Sequence, residues 1–255
     1  MRVSQVNSWK RRVTLLKIST IAIAVTSVLS LAVMLITYFG DNVGNYVVGA
    51  TRLDSNYALS LSYDSDKSKT GSEILSAPGV KNLDNITYGN IGNYRLPNGE
   101  SDRGIFTNTI GGSHNFYRSG RGLYFAYTFY LRNESVGDVE YSMGIFVNGS
   151  FLGLDAAIRL MVIKDGELVG IYAKARPDGE AEDHTDLDEK YGDGYGYTTT
   201  KFIDDETIAS QTFTLAKDAQ SCFTVIMWLE GEDEQCNDAV KGGMVKLAMD
   251  FAIIK

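Results

Sequence analysis

The sequence predicts an all-β domain, an antiparallel β-sandwich of jelly-roll or Ig-like type, preceded by one N-terminal transmembrane helix. Three observations carry that reading. Residues 18–39 read Ile-Ser-Thr-Ile-Ala-Ile-Ala-Val-Thr-Ser-Val-Leu-Ser-Leu-Ala-Val-Met-Leu-Ile-Thr-Tyr-Phe and hold no charge. Beyond them, short apolar segments alternate with period two, the mark of half-buried strands. No amphipathic helix and no βαβ rhythm interrupts these segments, which leaves a layered antiparallel architecture.

At about 1.5 Å per residue the uncharged run spans roughly 33 Å, the thickness of a bilayer's hydrocarbon core. Its Ser and Thr hydroxyls can bond back to helix carbonyls at modest cost. Trp9, Lys10, Arg11, Arg12 and Lys17 precede it, and Tyr38, Phe39 and Asp41 close it. Cationic flanks stay cytoplasmic and aromatic residues settle at the interface. The expected order is therefore a basic cytoplasmic tail at 1–17, a signal-anchor at 18–39, a connector at 40–54 and an extracellular sandwich at 55–255. The run is long for a cleaved signal, which favours retention, whereas cleavage near Ser30-Leu31-Ala32 would release the domain.

Charge is divided unevenly along the chain. Residues 1–40 carry Arg2, Lys10, Arg11, Arg12 and Lys17 without an acid, and subtracting these five cations from the formal −8 leaves −13 for the rest. So acidic an exterior excludes nucleic acid and adsorption to anionic lipid as partners. It suits solubility, a cation or a basic partner. The chain's two cysteines are Cys222 and Cys236. An oxidising exterior would permit a bridge, but a strand rising about 3.3 Å per residue sets them roughly 20 Å apart, beyond disulfide reach. Two unpaired thiols are expected. Asn85, Asn133 and Asn148 lie in Asn-X-Ser/Thr triplets, a pattern that also arises by chance.

In chain order, residues 41–53 form an extended segment. Tyr57, Leu59, Leu61 and Tyr63 alternate along a strand, and residues 64–104, rich in Gly, Asn, Ser and Asp, form long loop. Short strands are expected near Ile86-Thr87-Tyr88 and Ile105-Phe106-Thr107. Gly122 to Asn133 is the strongest strand, with Phe125, Tyr127, Phe129 and Leu131 on the core face and Ala126, Thr128 and Arg132 on a partly wet one. Glu140 to Val147 follows, closed by the turn pair Asn148-Gly149. Ala157–Ile163 and Leu168–Lys174 flank Lys164-Asp165-Gly166-Glu167, the clearest hairpin signal in the chain. Gln211–Leu215, Cys222–Leu229 and Met244–Ile253 complete eight to ten strands, the last tying the C-terminus into a sheet.

The residues of common catalytic chemistries are not found at the spacing those chemistries need. His114 and His184, the two histidines, lie far apart without a His-Glu-X-X-His helix. Neither cysteine has a neighbouring histidine, and no nucleophile elbow or phosphate-cradling loop occurs. The chain is therefore not read as an enzyme. Two acidic loops remain, at 178–193 and Glu230–Asp238. Clustered carboxylates can hold Ca²⁺, although neither loop has EF-hand spacing and a solvated acidic surface explains both. No other cofactor or metal is expected. Tyr191, Tyr195 and Tyr197 border Gly-Asp-Gly-Tyr-Gly-Tyr, an aromatic loop that could bind glycan or protein.

Tyr38-Phe39-Gly40-Asp41 and then Asn45-Tyr46-Val47-Val48-Gly49 resemble the end of the signal segment and the first strand of the TasA/camelysin-like surface proteins of Firmicutes. Trp228-Leu229-Glu230-Gly231, Asp233, Cys236, Gly242-Gly243 and Met249-Asp250-Phe251 are similar to the end of exterior proteins of clostridial type. The likeness covers the first 50 residues and about the last 30. Leu35-Ile36-Thr37 stands where that family has a small-residue cleavage site. The resemblance implies a jelly-roll domain at the cell surface that can build fibres in biofilm matrix. Camelysin's protease activity does not carry over, because the residues it would need are not found.

The function expected is that of a membrane-anchored or secreted cell-surface structural protein, self-associating through sheet edges by strand addition. Residues 45–53 are the candidate donor, with Tyr46, Val47 and Val48 as its contact residues. The alternative is a membrane-tethered module that binds glycan, protein or Ca²⁺ without catalysis, with Tyr191, Tyr195 and Tyr197 as the contacts.

Overall fold

The computed structural model describes residues 46–53, 56–77, 83–91, 113–118 and 121–254, and the side chains of all of these except 113–123. The expected tail at 1–17, the span at 18–39 and the strand near Ile105 lie outside these residues. Among the described residues no helix is long and apolar enough to cross a membrane.

The domain is an all-β sandwich. Its strands are β1 (Tyr46–Ala50), β2 (Leu59–Ser62), β3 (Ile74–Ala77), β4 (Asn85–Ile86), β5 (Ser113–Arg118), β6 (Arg121–Asn133) and β7 (Val139–Phe151). They continue as β8 (Ile158–Lys164), β9 (Glu167–Ala173), β10 (Thr200–Lys201), β11 (Thr207–Leu215), β12 (Gln220–Glu230) and β13 (Met244–Ile253). Short helices at Tyr88–Ile91, Leu154–Ala157 and Leu187–Tyr191 sit between them. One sheet has five strands in the order β11-β7-β13-β1-β3. The other has eight, ordered β10-β9-β8-β12-β6-β2, with β4 added to β12 and β5 to β6.

Alternation builds the core. Phe125, Tyr127, Phe129 and Leu131 of β6 face inward as the sequence predicts, joined by Phe223 and Val225 of β12. Opposite them stand Tyr141, Met143 and Ile145 of β7 and Leu247, Met249 and Phe251 of β13. Phe251 bridges the layers, its ring centroid 4.9 Å from Phe223 and 5.9 Å from Phe129. Edge and tilted ring contacts of this kind add to the burial of apolar area.

Several expectations are corrected. The sheets are mixed rather than antiparallel, because β1 runs parallel to β13 and the two-residue strands β10 and β4 run parallel to β9 and β12. Residues 46–50, expected within a connector, form a strand with the burial alternation of a sheet interior. Tyr57 and Tyr63 are 42% and 37% exposed, so Leu59 and Leu61 are the fully buried members of that alternation, while the Tyr63 ring meets Tyr127 edge-on at 6.0 Å. β7 does not end at Asn148-Gly149 but continues to Phe151 through a register shift opposite Lys246 and Leu247. The hairpin at Asp165-Gly166 forms, with both residues at positive φ, 52° and 86°. Two consecutive left-handed residues match the twist of the flanking strands.

Much of the outer face of the eight-stranded sheet is also dry, where a partly wet face is expected. Tyr124, Ala126 and Thr128 of β6 are buried beneath the loops. A second apolar cluster covers this face, built from Tyr124, Ala126, Met161, Ile171, Ile226 and Trp228 with Ile86, Ile91, Leu187 and Tyr197. Arg132, expected on the same wet face, is buried and donates to the carbonyls of Asp64, Asp66 and Lys69.

Candidate functional site

The first candidate is the slot that holds β1. Tyr46, Val47 and Val48 align with Leu247, Ala248 and Met249 on one side and with Ala77, Ser76 and Leu75 on the other. Tyr46 and Val48 point into the core, whereas Val47 is half-buried on the outer face. The Tyr46 ring meets Phe125 and Tyr127 of the opposite sheet edge-on at 5.7 and 5.4 Å, and its hydroxyl lies 3.0 Å from Met249 Sδ. Burial pushes its phenol pKa well up. Beyond β1, Leu53 N–H donates to Tyr57 C=O at 2.9 Å, and β2 follows in the other sheet.

The second candidate lies on the dry outer face, where both acidic loops dock. Sequence reasoning missed its centre. Arg159 of β8 is fully buried and donates from Nη2 to Asp233 Oδ2 at 2.7 Å, with His184 Nε2 3.2 Å away. Beside them Glu230 Oε2 accepts from Tyr197 Oη at 2.5 Å and Trp228 Nε1 at 3.0 Å. Burial, and next the Arg159 charge, lowers the His184 pKa. Burial raises the Glu182 carboxyl. The readable signal was Arg159 itself, the one charge within the apolar run Ala157–Ile163.

The three tyrosines separate into two environments. Tyr197 is buried and structural. Tyr191 is 46% exposed and Tyr195 is half-buried, their ring centroids 5.4 Å apart. These two line a cleft of about 260 Å³ with Asn85, Thr87, Asn90 and Glu232. Glu232 accepts from Tyr191 Oη at 2.5 Å and is paired with Lys190. Asp188 Oδ1 accepts the backbone N–H groups of Gly194, Tyr195 and Gly196 at 2.8, 2.9 and 2.7 Å, which fixes the aromatic loop.

Several carboxylates of the acidic loops are held in ion pairs. Asp178 pairs with Arg176, Asp233 with Arg159 and Asp238 with Lys241. Among the described residues no three His, Cys, Asp or Glu side chains converge as a metal site. Cys222 and Cys236 form no disulfide, and burial pushes the Cys222 thiol up to about 11.

No family profile matches the chain, and no curated protein is similar to it in sequence. Among solved structures, one match is a β-glucosidase from Kluyveromyces marxianus in complex with glucose, at 11% identity and a TM-score of 0.22. The match covers 75% of this chain and spans 16% of that enzyme, a likeness too slight to carry an argument about either fold or activity.

Proposed function

We propose that the chain is a cell-surface structural protein, membrane-anchored through residues 18–39 or secreted, whose sandwich assembles by β-strand addition into fibres or matrix. The observation that carries this reading is the seat of β1. Five residues at the head of the domain fill an interior position of the five-stranded sheet, between β13 and β3. The chain runs from them into residues 51–53, where Leu53 N–H donates to Tyr57 C=O, and on to β2 in the other sheet. A second copy presents the same Tyr46, Val48 and Ala50 to the same slot, so exchange keeps each contact while linking two chains. The uncharged run, the acidic exterior and the resemblance to TasA/camelysin-like proteins support the same surface role and a jelly-roll type of sandwich.

The test is a lock. Val47 and Ala248 are aligned neighbours in the parallel pair, both half-buried on the outer face. A Val47→Cys, Ala248→Cys protein, oxidised as an intrachain bridge, holds β1 in its own sheet. The expected outcome is a monomer by light scattering when oxidised and multimers when reduced. Assembly of the oxidised protein at the wild-type level would overturn strand exchange.

A further inference from the structure

We infer that the cleft between the Tyr191–Tyr195 loop and the Tyr88–Ile91 helix is a carbohydrate site that takes one pyranose ring of a neutral glycan. Shape comes first. About 260 Å³ lies just below the roughly 300–1,000 Å³ of sites for drug-sized ligands, which suits a single sugar ring. The walls have the two components that sugars need. Tyr191 and Tyr195 line it with aromatic surface for the C–H side of a pyranose, the Lys190 ammonium lying 5.0 Å from the Tyr191 ring centroid, and Asn85, Thr87, Asn90 and Glu232 line it with amide, hydroxyl and carboxylate groups.

Electrostatics narrows the ligand further. The Glu232 carboxylate is already matched by Lys190 and by the Tyr191 hydroxyl, so the cleft does not call for a cation. The Glu232 carboxylate in the wall, together with the acidic composition of residues 178–193, disfavours phosphate and other anions. A neutral, hydroxyl-rich ligand fits what remains.

The cleft is also built in advance. Three backbone donors on Asp188 hold the loop, and those hydrogen bonds keep its carboxyl pKa low. Gly89 lets the Tyr195 ring lie directly on the helix, since a Cβ there would come within 2.3 Å of the ring. Asn90 Oδ1 accepts from the Thr87 amide and hydroxyl, both at 3.1 Å, which aims its amide nitrogen at Tyr195 Oη, 3.5 Å away. A wall ordered before binding loses little entropy on binding, which matters for a ligand as weakly held as a single sugar ring.

The test titrates the full chain with cellotetraose, chitotetraose and maltotetraose by saturation-transfer NMR. Saturable binding of at least one is expected. Tyr191→Ala removes an exposed ring, leaves the fold intact by circular dichroism and weakens binding about tenfold. Asn85→Ala, on the opposite lip, weakens it severalfold. The inference is overturned if none of the three glycans binds at about 10 mM, or if binding is the same in wild type and Tyr191→Ala.

Discussion

Arg159 Nη2 lies 2.7 Å from Asp233 Oδ2, with the two side chains 0% and 3% exposed. This buried ion pair ties the second acidic loop to the middle of the eight-stranded sheet. Removing one partner strands the other charge without water, a mechanism that costs about 3–5 kcal/mol. Asp233→Ala is expected to lower unfolding free energy by that amount in urea titrations. Arg159→Met with Asp233→Leu is expected to recover much of the loss, because an apolar pair leaves no orphaned charge.

His184 gives the domain a pH response. Its folded pKa is depressed by burial and by Arg159, with Glu230, Asp233 and Asp186 partly opposing. The unfolded imidazole binds its proton near pH about 6.5 and the folded one only at lower pH, so stability is present above that value and lost as pH falls through it. Glu182 acts in the opposite sense: its raised carboxyl favours the fold at low pH, and that contribution is lost as pH rises above about 4.5. Melting temperature is expected to drop between pH about 7.5 and about 5.5 in the wild type. His184→Gln should flatten that slope in calorimetry.

Asp188→Ala deprives three consecutive loop amides of their acceptor. The expected result is faster hydrogen exchange at Gly194, Tyr195 and Gly196, with protection in β6 and β12 unchanged. Equal exchange in both proteins would show that the loop is fixed by something other than this carboxylate.

Val48 is fully buried between the sheets. Val48→Ala removes two methyl groups from that packing and should cost about 2 kcal/mol in urea unfolding. Val47→Ala, at the half-buried outer position next to it, should cost about 0.5 kcal/mol or less.

Much of the sandwich was legible because its strands are long and alternate. β6, β8, β9, β12 and β13 lie where Phe125–Leu131, the Asp165-Gly166 hairpin and the C-terminal run place them. The strand character of residues 45–49 is visible in the resemblance, but their place inside the chain's own five-stranded sheet is not, because nothing local announces a partner some 200 residues away. The dry outer face was hidden for a different reason. Thr128, Arg132 and Arg159 look like solvent-facing positions until the loops that cover them are in place. Of the tyrosines, composition marked the loop but could not separate Tyr197, which turns inward to Glu230, from Tyr191 at the rim of the cleft.

The parallel alignment of Tyr46–Ala50 with Leu247–Phe251 imposes an order of events on the growing chain. β3 can flank β1 early, but the other side of its berth exists only once β13, nearly 200 residues further on, has left the ribosome. Through most of synthesis that second side stays open, and contacts spanning so much sequence form slowly.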